Sequence, residues 1–403
     1  MDNMSMSGNQ TGTISHKPSD RFYWLDWLRF TAALMVVACH ARGWNWVEWG
    51  RLDSGSQTKV GYFFFAVTRA GFEWVIVFFV LSGFLVGGKV LKRVASGTFD
   101  WRSYAIDRIS RIWLPLIPAL LLTAGVACFG KYPVSISELF GSLFGLQGIL
   151  CGSFGGNYPL WSLAYEIWFY LLAGFAAVVI GSRSKASVWA YLGVALCLAV
   201  FTRLNSAFLF CWVLGGISYS LTRKTRNWPL VITGCLLGAA GCIMSQLKSD
   251  TVSLNKQEIQ QLLPSANVAV MIMTVGLALL IPAVSRLAPS SNAMVWLEKI
   301  GGRLAAFSYT LYLTHYPLLA FWSHFMPARH LALDFRSIVL FLARVTTCLL
   351  IAWLLYLPFE AQTDRVRKWL RVRCVATCGE ALAGTPAFLQ PQNRKHKEMG
   401  HLR

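Results

Sequence analysis

Charge is what this sequence has least of. Asp, Glu, Lys and Arg make up 14% of its 403 residues, where a soluble domain carries roughly 25%. That shortage excludes a soluble enzyme, a coiled coil and a disordered chain. Acidic residues are the scarcer sign, 18 against 37 Lys and Arg, for a net charge of +19. No nucleic-acid recognition motif accompanies the excess, so nucleic acid is not an expected partner. Basic loops that hold membrane helices in one orientation account for it instead. A signal peptide is missing too. Residues 1–20 are polar, the first apolar block contains Asp26 and Arg29, and no small-residue cleavage site follows a short apolar core. The 10 cysteines are scattered, mostly within apolar blocks, and Cys374 and Cys378 have no His or Cys nearby to complete a zinc site. Neither a metal site nor a structural disulfide is expected, and no internal repeat is evident.

What the chain has in quantity is apolar sequence. Hydrophobic residues reach 55% and the mean hydropathy is +0.50. They arrive in blocks of about 18 to 25 residues, the length that crosses a hydrocarbon core of roughly 30 Å. Outer-membrane barrel strands are only about 10 residues long and alternate, so a barrel is excluded. Helices satisfy their own backbone in lipid. The predicted fold is therefore all-α, a polytopic transmembrane helix bundle.

Ten spans are expected, at 24–42, 71–91, 112–130, 159–181, 187–202, 204–222, 228–246, 266–285, 304–325 and 336–358. The segment 136–150 is too short and glycine-rich to cross and reads as re-entrant or interfacial. With the N-terminus inside, the inner segments hold 25 Lys and Arg and the outer ones 9, which places both termini in the cytoplasm. The expected organisation is a disordered cytoplasmic segment 1–20, a transmembrane unit 21–360 and a basic cytoplasmic tail 361–403. Within the tail, Arg365 to Arg373 is basic and amphipathic and should lie on the inner leaflet; residues 385–403 read as disordered.

Ionisable residues inside spans are costly and point to function. Here they are Asp26, Arg29, His40, Glu73, Glu166, His315 and Arg344. Arg29 and His40 are 11 residues apart, which is ~20° from three full helical turns and ~16 Å along the axis. Asp26, Arg29 and His40 therefore share one face, with His40 toward the outside. The plain reading is a structural Asp26–Arg29 pair and a histidine at the interface. Ser82-Gly83-Phe84-Leu85 reads on its own as close helix packing. Arg108 and Arg111 fall in the basic inner loop, where topology anchoring and a forked phosphate clamp are both open. Glu166, one turn into an aromatic span, needs a partner or a task. His315, in Ser308-Tyr309-Thr310-Leu311-Tyr312-Leu313-Thr314-His315, could be a satisfied bundle residue.

Taken together, these stretches resemble the acyltransferase 3 family of integral-membrane acyltransferases, which includes polysaccharide, O-antigen and Nod-factor O-acetylases. The resemblance runs from about residue 21 to 360. It rests on the Arg29–His40 spacing, Ser82-Gly83-Phe84-Leu85, Arg108-x-x-Arg111, Trp161-Ser162-Leu163-x-Tyr165-Glu166 and Ser308-Tyr309-x-x-Tyr312-Leu313-x-His315. Each motif is weak alone; five in order are specific. The resemblance implies a membrane O-acyltransferase that moves acetyl or another acyl group from acyl-CoA, typically acetyl-CoA, to a hydroxyl of a carbohydrate or lipid-linked glycan, in a bacterial cytoplasmic membrane. The appended esterase-like domain of some relatives is not seen, so a separate extracytoplasmic transfer partner would be needed if that step is required.

The resemblance also implies roles. His40 is the expected general base, or the site of an acyl-histidine, oriented by Glu166 or Asp26, with Glu166 preferred. Arg108 and Arg111 would take the phosphates of CoA, with Arg29 the next contact. Ser82, Gly83, Tyr309 and His315 join Asp26 as pocket residues. A transporter or flippase is the competing reading, with Asp26, Glu166 and His315 as a proton relay. The aromatic outer loop, Trp44, Trp46, Trp49 and Tyr62, would suit sugar stacking, but an interfacial belt gives the same pattern and is the favoured reading.

Overall fold

The structure is a computed structural model that describes residues 22–182, 187–222, 227–249 and 265–383. Among these residues no strand forms, and the apolar blocks are helices. They are α1 (Leu25–Asn45), α2 (Lys59–Thr68), α3 (Gly71–Ser82), α4 (Gly88–Ala95), α5 (Trp101–Phe129), α6 (Ile136–Phe144), α7 (Trp161–Gly181), α8 (Val188–Arg203), α9 (Ser206–Ser218), α10 (Trp228–Ser249), α11 (Ala266–Ser285), α12 (Asn292–Ala306), α13 (Ser308–Phe325), α14 (Phe335–Tyr356) and α15 (Thr363–Ala383). A π-helical turn, Gly83–Gly87, joins α3 to α4.

Among the described residues, 6 helical stretches are long and apolar enough to cross a membrane: Lys59–Ala95, Trp101–Phe129, Tyr158–Gly181, Trp228–Leu247, Ala266–Ser285 and Phe335–Arg373. The other predicted spans are helical but shorter or more polar. Helix α1 carries Asp26, Arg29 and Arg42, α8 and α9 have 16 and 13 residues, and α13 has 18 residues with His315 and Pro317 in its middle.

Two apolar cores organise the bundle. The larger stacks aromatic rings of α3, α7 and α9. Phe79 lies 5.4 Å from Phe169, Phe169 lies 5.5 Å from Trp212, and Tyr165 lies 5.1 Å from Phe208. The smaller joins α1, α13 and α14 around Val37, Leu311, Leu319 and Phe341. Trp46 belongs to this second core: it is 1% exposed and donates Nε1–H to the Ala332 carbonyl at 3.1 Å. Trp49 packs on Tyr62 and Phe65, and Trp44 on Tyr316. Much of this aromatic loop is thus packed against the protein itself.

The basic segment 89–111 is mostly helix, not loop. Helix α5 starts at Trp101 because Asp100 caps it, accepting from the amides of Arg102 at 3.2 Å and Ser103 at 2.9 Å. Bonds from Ser103 hold the Asp100 carboxyl below its usual range. The helix is already formed about three turns before the apolar run becomes visible, so Arg108 and Arg111 stand on a rigid helical face. Segment 136–150 contains only α6, ended by Gly145 in the left-handed region at φ 69°. In the tail, helix α15 docks on α5: Asp107 accepts from Arg367 at 2.9 Å and from Arg371 at 2.8 Å. The predicted disordered segments 1–20 and 385–403 lie outside the described residues.

Candidate active site

Helix α13 carries a proline in its middle. Pro317 has no amide hydrogen, so the carbonyl four residues earlier, Leu313, loses its helical donor. The Asn157 amide replaces it at 3.1 Å and also donates to Thr123 at 3.3 Å. This ties α13 to the turn ahead of α7 and to α5. One turn away, the Tyr312 hydroxyl and Ser162 Oγ are 2.7 Å apart, and the same hydroxyl reaches the Pro159 carbonyl at 3.1 Å.

These contacts frame a cavity of about 400 Å³ among α1, α3, α5, α7 and α13. Its lining includes Arg29, Lys89, Arg108, Arg111 and Arg367, and one acid, Glu166. The arginines are not equivalent. Arg29 pairs with Asp26 at 3.1 Å, and Arg111 with Glu360 at 2.9 Å. Glu360 is 4% exposed and also accepts from the Thr310 amide at 3.1 Å and its hydroxyl at 2.7 Å, so Arg111 anchors α13 to the chain after α14. Arg108 has no carboxylate among the described residues. It lies over the rings of Tyr170 at 5.1 Å and Tyr104 at 5.8 Å, and its buried Nε has no hydrogen-bond partner. A guanidinium on aromatic faces with unspent donors suits an incoming oxyanion.

Glu166 faces the same space and accepts from the Tyr170 hydroxyl, one turn on along α7. That hydroxyl is 3.4 Å from Ser82 Oγ, which accepts from Trp212 Nε1 at 3.2 Å. The π turn begins immediately after Ser82. Widened turns of this kind often mark functional sites. Here the turn brings glycines against α9. A Cβ on Gly83 would lie 2.0 Å from the Trp212 carbonyl oxygen, and one on Gly215 would lie 2.3 Å from that of Val80.

Beyond Tyr312, away from the arginines, stands a histidine pair. His40 Nδ1 is 2.9 Å from His315 Nε2, and His315 Nδ1 is 2.7 Å from the Tyr312 carbonyl. The rings are stacked with centroids 5.1 Å apart, and His315 is fully buried. Tyr316 closes on His40 edge-on at 5.3 Å. Helices α1 and α13 thus run side by side from Arg29 and Tyr309 at one end to His40 and His315 at the other.

The acyltransferase 3 family model, an acyltransferase domain, matches residues 22–357. The chain belongs to the acyltransferase 3 family. It is a multi-pass membrane protein and a transferase of acyl groups. No curated protein and no solved structure matches it.

Against this family identity the placement of each expected residue can be read. Arg29, Ser82, Arg108, Arg111, Glu166 and Tyr309 line one cavity, and His40 and His315 are bonded to one another next to it. Asp26 does not line that cavity; it belongs to an open pocket with Glu298 and Arg303. Gly83 is a packing residue. Glu166, expected to orient the His40 imidazole, is bonded to Tyr170 instead, and the partner of His40 is His315. Tyr170, Ser162, Tyr312 and Trp212 were missed by the sequence reading. Tyr170 is signalled only by its i+4 spacing from Glu166, and Ser162 and Tyr312 by lying inside quoted motifs. Nothing in the local sequence marks Trp212.

Proposed function

We propose that the protein is an O-acyltransferase of a bacterial cytoplasmic membrane, taking an acyl group, acetyl in the first instance, from cytoplasmic acyl-CoA and giving it to a hydroxyl of a carbohydrate or lipid-linked glycan. The observation that carries this reading is a single continuous arrangement. A cavity rich in arginine at one end leads to Tyr312, and the next turn of the same helix holds the His315–His40 pair. The ten-span topology with both termini in the cytoplasm puts the arginine end on the side where CoA is made. Four of the ten are then α1, α8, α9 and α13, polar or short helices buried in or against the bundle.

In this reading Arg108, with Arg29 and Arg111 beside it, takes the phosphates of CoA through charge-assisted hydrogen bonds. The pantetheine arm follows the cavity past Tyr309 and Tyr312, over a distance comparable with the ~16 Å rise from Arg29 to His40. His40 removes the proton of the acceptor hydroxyl. The hydroxyl oxygen forms its bond to the thioester carbonyl carbon, the carbon–sulfur bond breaks, and the CoA thiolate recovers the proton. Attack by His40 itself gives an acyl-histidine and the same overall balance. A separate extracytoplasmic protein could accept the acyl group before final transfer.

The transporter reading needs a relay through Asp26, Glu166 and His315. These residues have three different partners, Arg29, Tyr170 and His40, which favours the transferase. Purified protein in lipid, given acetyl-CoA and candidate glycan acceptors, tests the choice. Release of CoA thiol coupled to an acylated acceptor supports transfer. Substrate movement with the thioester intact would support transport.

A further inference from the structure

The hydrogen bonds around the histidine pair fix where its protons sit. A backbone carbonyl can only accept, so the 2.7 Å contact between His315 Nδ1 and the Tyr312 oxygen requires a hydrogen on that Nδ1. A neutral imidazole carries one donor and one acceptor nitrogen, so His315 Nε2 is an acceptor. His40 Nδ1, 2.9 Å away, must then donate to it. With Nδ1 protonated, the neutral His40 ring has its lone pair on Nε2. That is the one nitrogen of the four with no hydrogen-bond partner among the described residues.

The starting point of this chain is held firmly. The Tyr312 side chain is fixed by Ser162 and Pro159, and Asn157 holds the next carbonyl, the one that Pro317 leaves without a helical donor. His315 itself is fully buried, and Cys348 Sγ lies 3.8 Å from its carbonyl. Turning the buried ring over would give up the bond from Nδ1 to the Tyr312 carbonyl.

We propose that His315 is a positioning residue that sets the tautomer of His40, making His40 Nε2 the nitrogen that takes the acceptor proton or the acyl group. The proposal rests on the acyltransferase reading above and deepens it. When Nε2–H forms and the acceptor O–H breaks, the new imidazolium keeps donating Nδ1–H to His315 Nε2. A neutral imidazole thereby serves where a carboxylate orients the base in other catalytic pairs. Glu166, held by Tyr170, is not needed for this task.

The direct test is nitrogen NMR of the full-length protein, labelled with ¹⁵N-histidine and held in lipid nanodiscs, with the His40 signals identified by their loss in His40→Ala. The expected spectrum shows His40 with a protonated Nδ1 and a bare Nε2. A wild-type His40 protonated on Nε2 overturns the proposal, whether or not any variant folds. Kinetics give the second arm. His315→Leu removes the acceptor and should lower kcat at least about tenfold, less than the ~10²–10⁴-fold lost with the base itself, with the acetyl-CoA KM little changed. His315→Gln places an amide oxygen where Nε2 was and should recover much of that loss. Equal loss in both variants, or none in His315→Leu, contradicts the proposal. Failure of the underlying reading looks different: His40→Ala would then retain transfer while the wild-type tautomer stayed as described.

Discussion

Arg108→Ala and Arg111→Ala should fail in different ways, although the two residues are one turn apart and alike in sequence. Arg108 has no carboxylate partner among the described residues, so removing it loses two ring contacts, at 5.1 and 5.8 Å. At roughly 0.5–1 kcal/mol for each cation–π contact, stability should fall by no more than about 2 kcal/mol. Its effect on the donor is larger. A hydrogen bond to a charged group contributes roughly 1.5–3 kcal/mol. With tenfold for every ~1.4 kcal/mol, the acetyl-CoA KM should rise about ten- to a hundredfold. Arg111 is the opposite case. Its loss strands Glu360, 4% exposed, with only the Thr310 donors. Breaking a fully buried pair from one side costs about 3–5 kcal/mol, and with the Arg111 side chain 35% exposed the loss should fall at or below the low end of that range. Arg111→Ala should therefore lose thermal stability and yield first. Arg108→Lys should recover part of the KM, since the charge returns without the fork. The assay pairs acetyl-CoA KM with thermal unfolding of the same purified samples in lipid. A well-folded Arg108→Ala protein with unchanged KM, or one as unstable as Arg111→Ala, would refute the distinction.

Three further outcomes follow from the packing and topology. Gly83→Ala should lower thermal stability by about 1–3 kcal/mol or more, the usual cost of overpacking, because its Cβ would meet the Trp212 carbonyl at 2.0 Å; Gly125→Ala, with open space around it, should be silent by the same measurement. Tyr312→Phe removes the hydroxyl that bonds Ser162 and the Pro159 carbonyl, while Ser162 keeps its own bond to Pro159; it should cost about 0.5–1.5 kcal/mol of stability, and because it keeps the backbone carbonyl that holds His315, transfer should fall less than in His315→Leu. In a cysteine-depleted background, a cysteine at Ser96 should resist impermeant labelling of intact cells while one at Gly55 reacts; the reverse pattern would invert the orientation.

The fold class was legible because apolar block length is a direct read-out of membrane thickness, and the helix Ala266–Ser285 coincides with its predicted span. Helix starts were less legible where charge precedes the apolar run. Asp100 caps α5, yet hydropathy rises only about ten residues later, so a rigid arginine-bearing face looked like a loop. The gathering of Arg29, Arg108, Arg111, Glu166 and Tyr309 around one cavity followed from motifs already visible. Their partners did not. Glu360 holding Arg111, Tyr170 holding Glu166 and His315 holding His40 are choices made by helix packing across 249, 4 and 275 residues of sequence. Only the 4-residue pair leaves a periodic trace. The π turn after Ser82 is also silent in composition, since its glycines read equally well as ordinary close packing.

The central claim is that an imidazole at the far end of an arginine-lined cavity performs the acyl transfer. It is tested most directly by single-turnover reaction of purified His40→Ala protein with radiolabelled acetyl-CoA and a glycan acceptor. The account predicts a folded protein with thermal stability near wild type, acetyl-CoA binding retained, and transfer reduced by about 10²–10⁴-fold. A folded His40→Ala protein that transfers acetyl at the wild-type rate would contradict it.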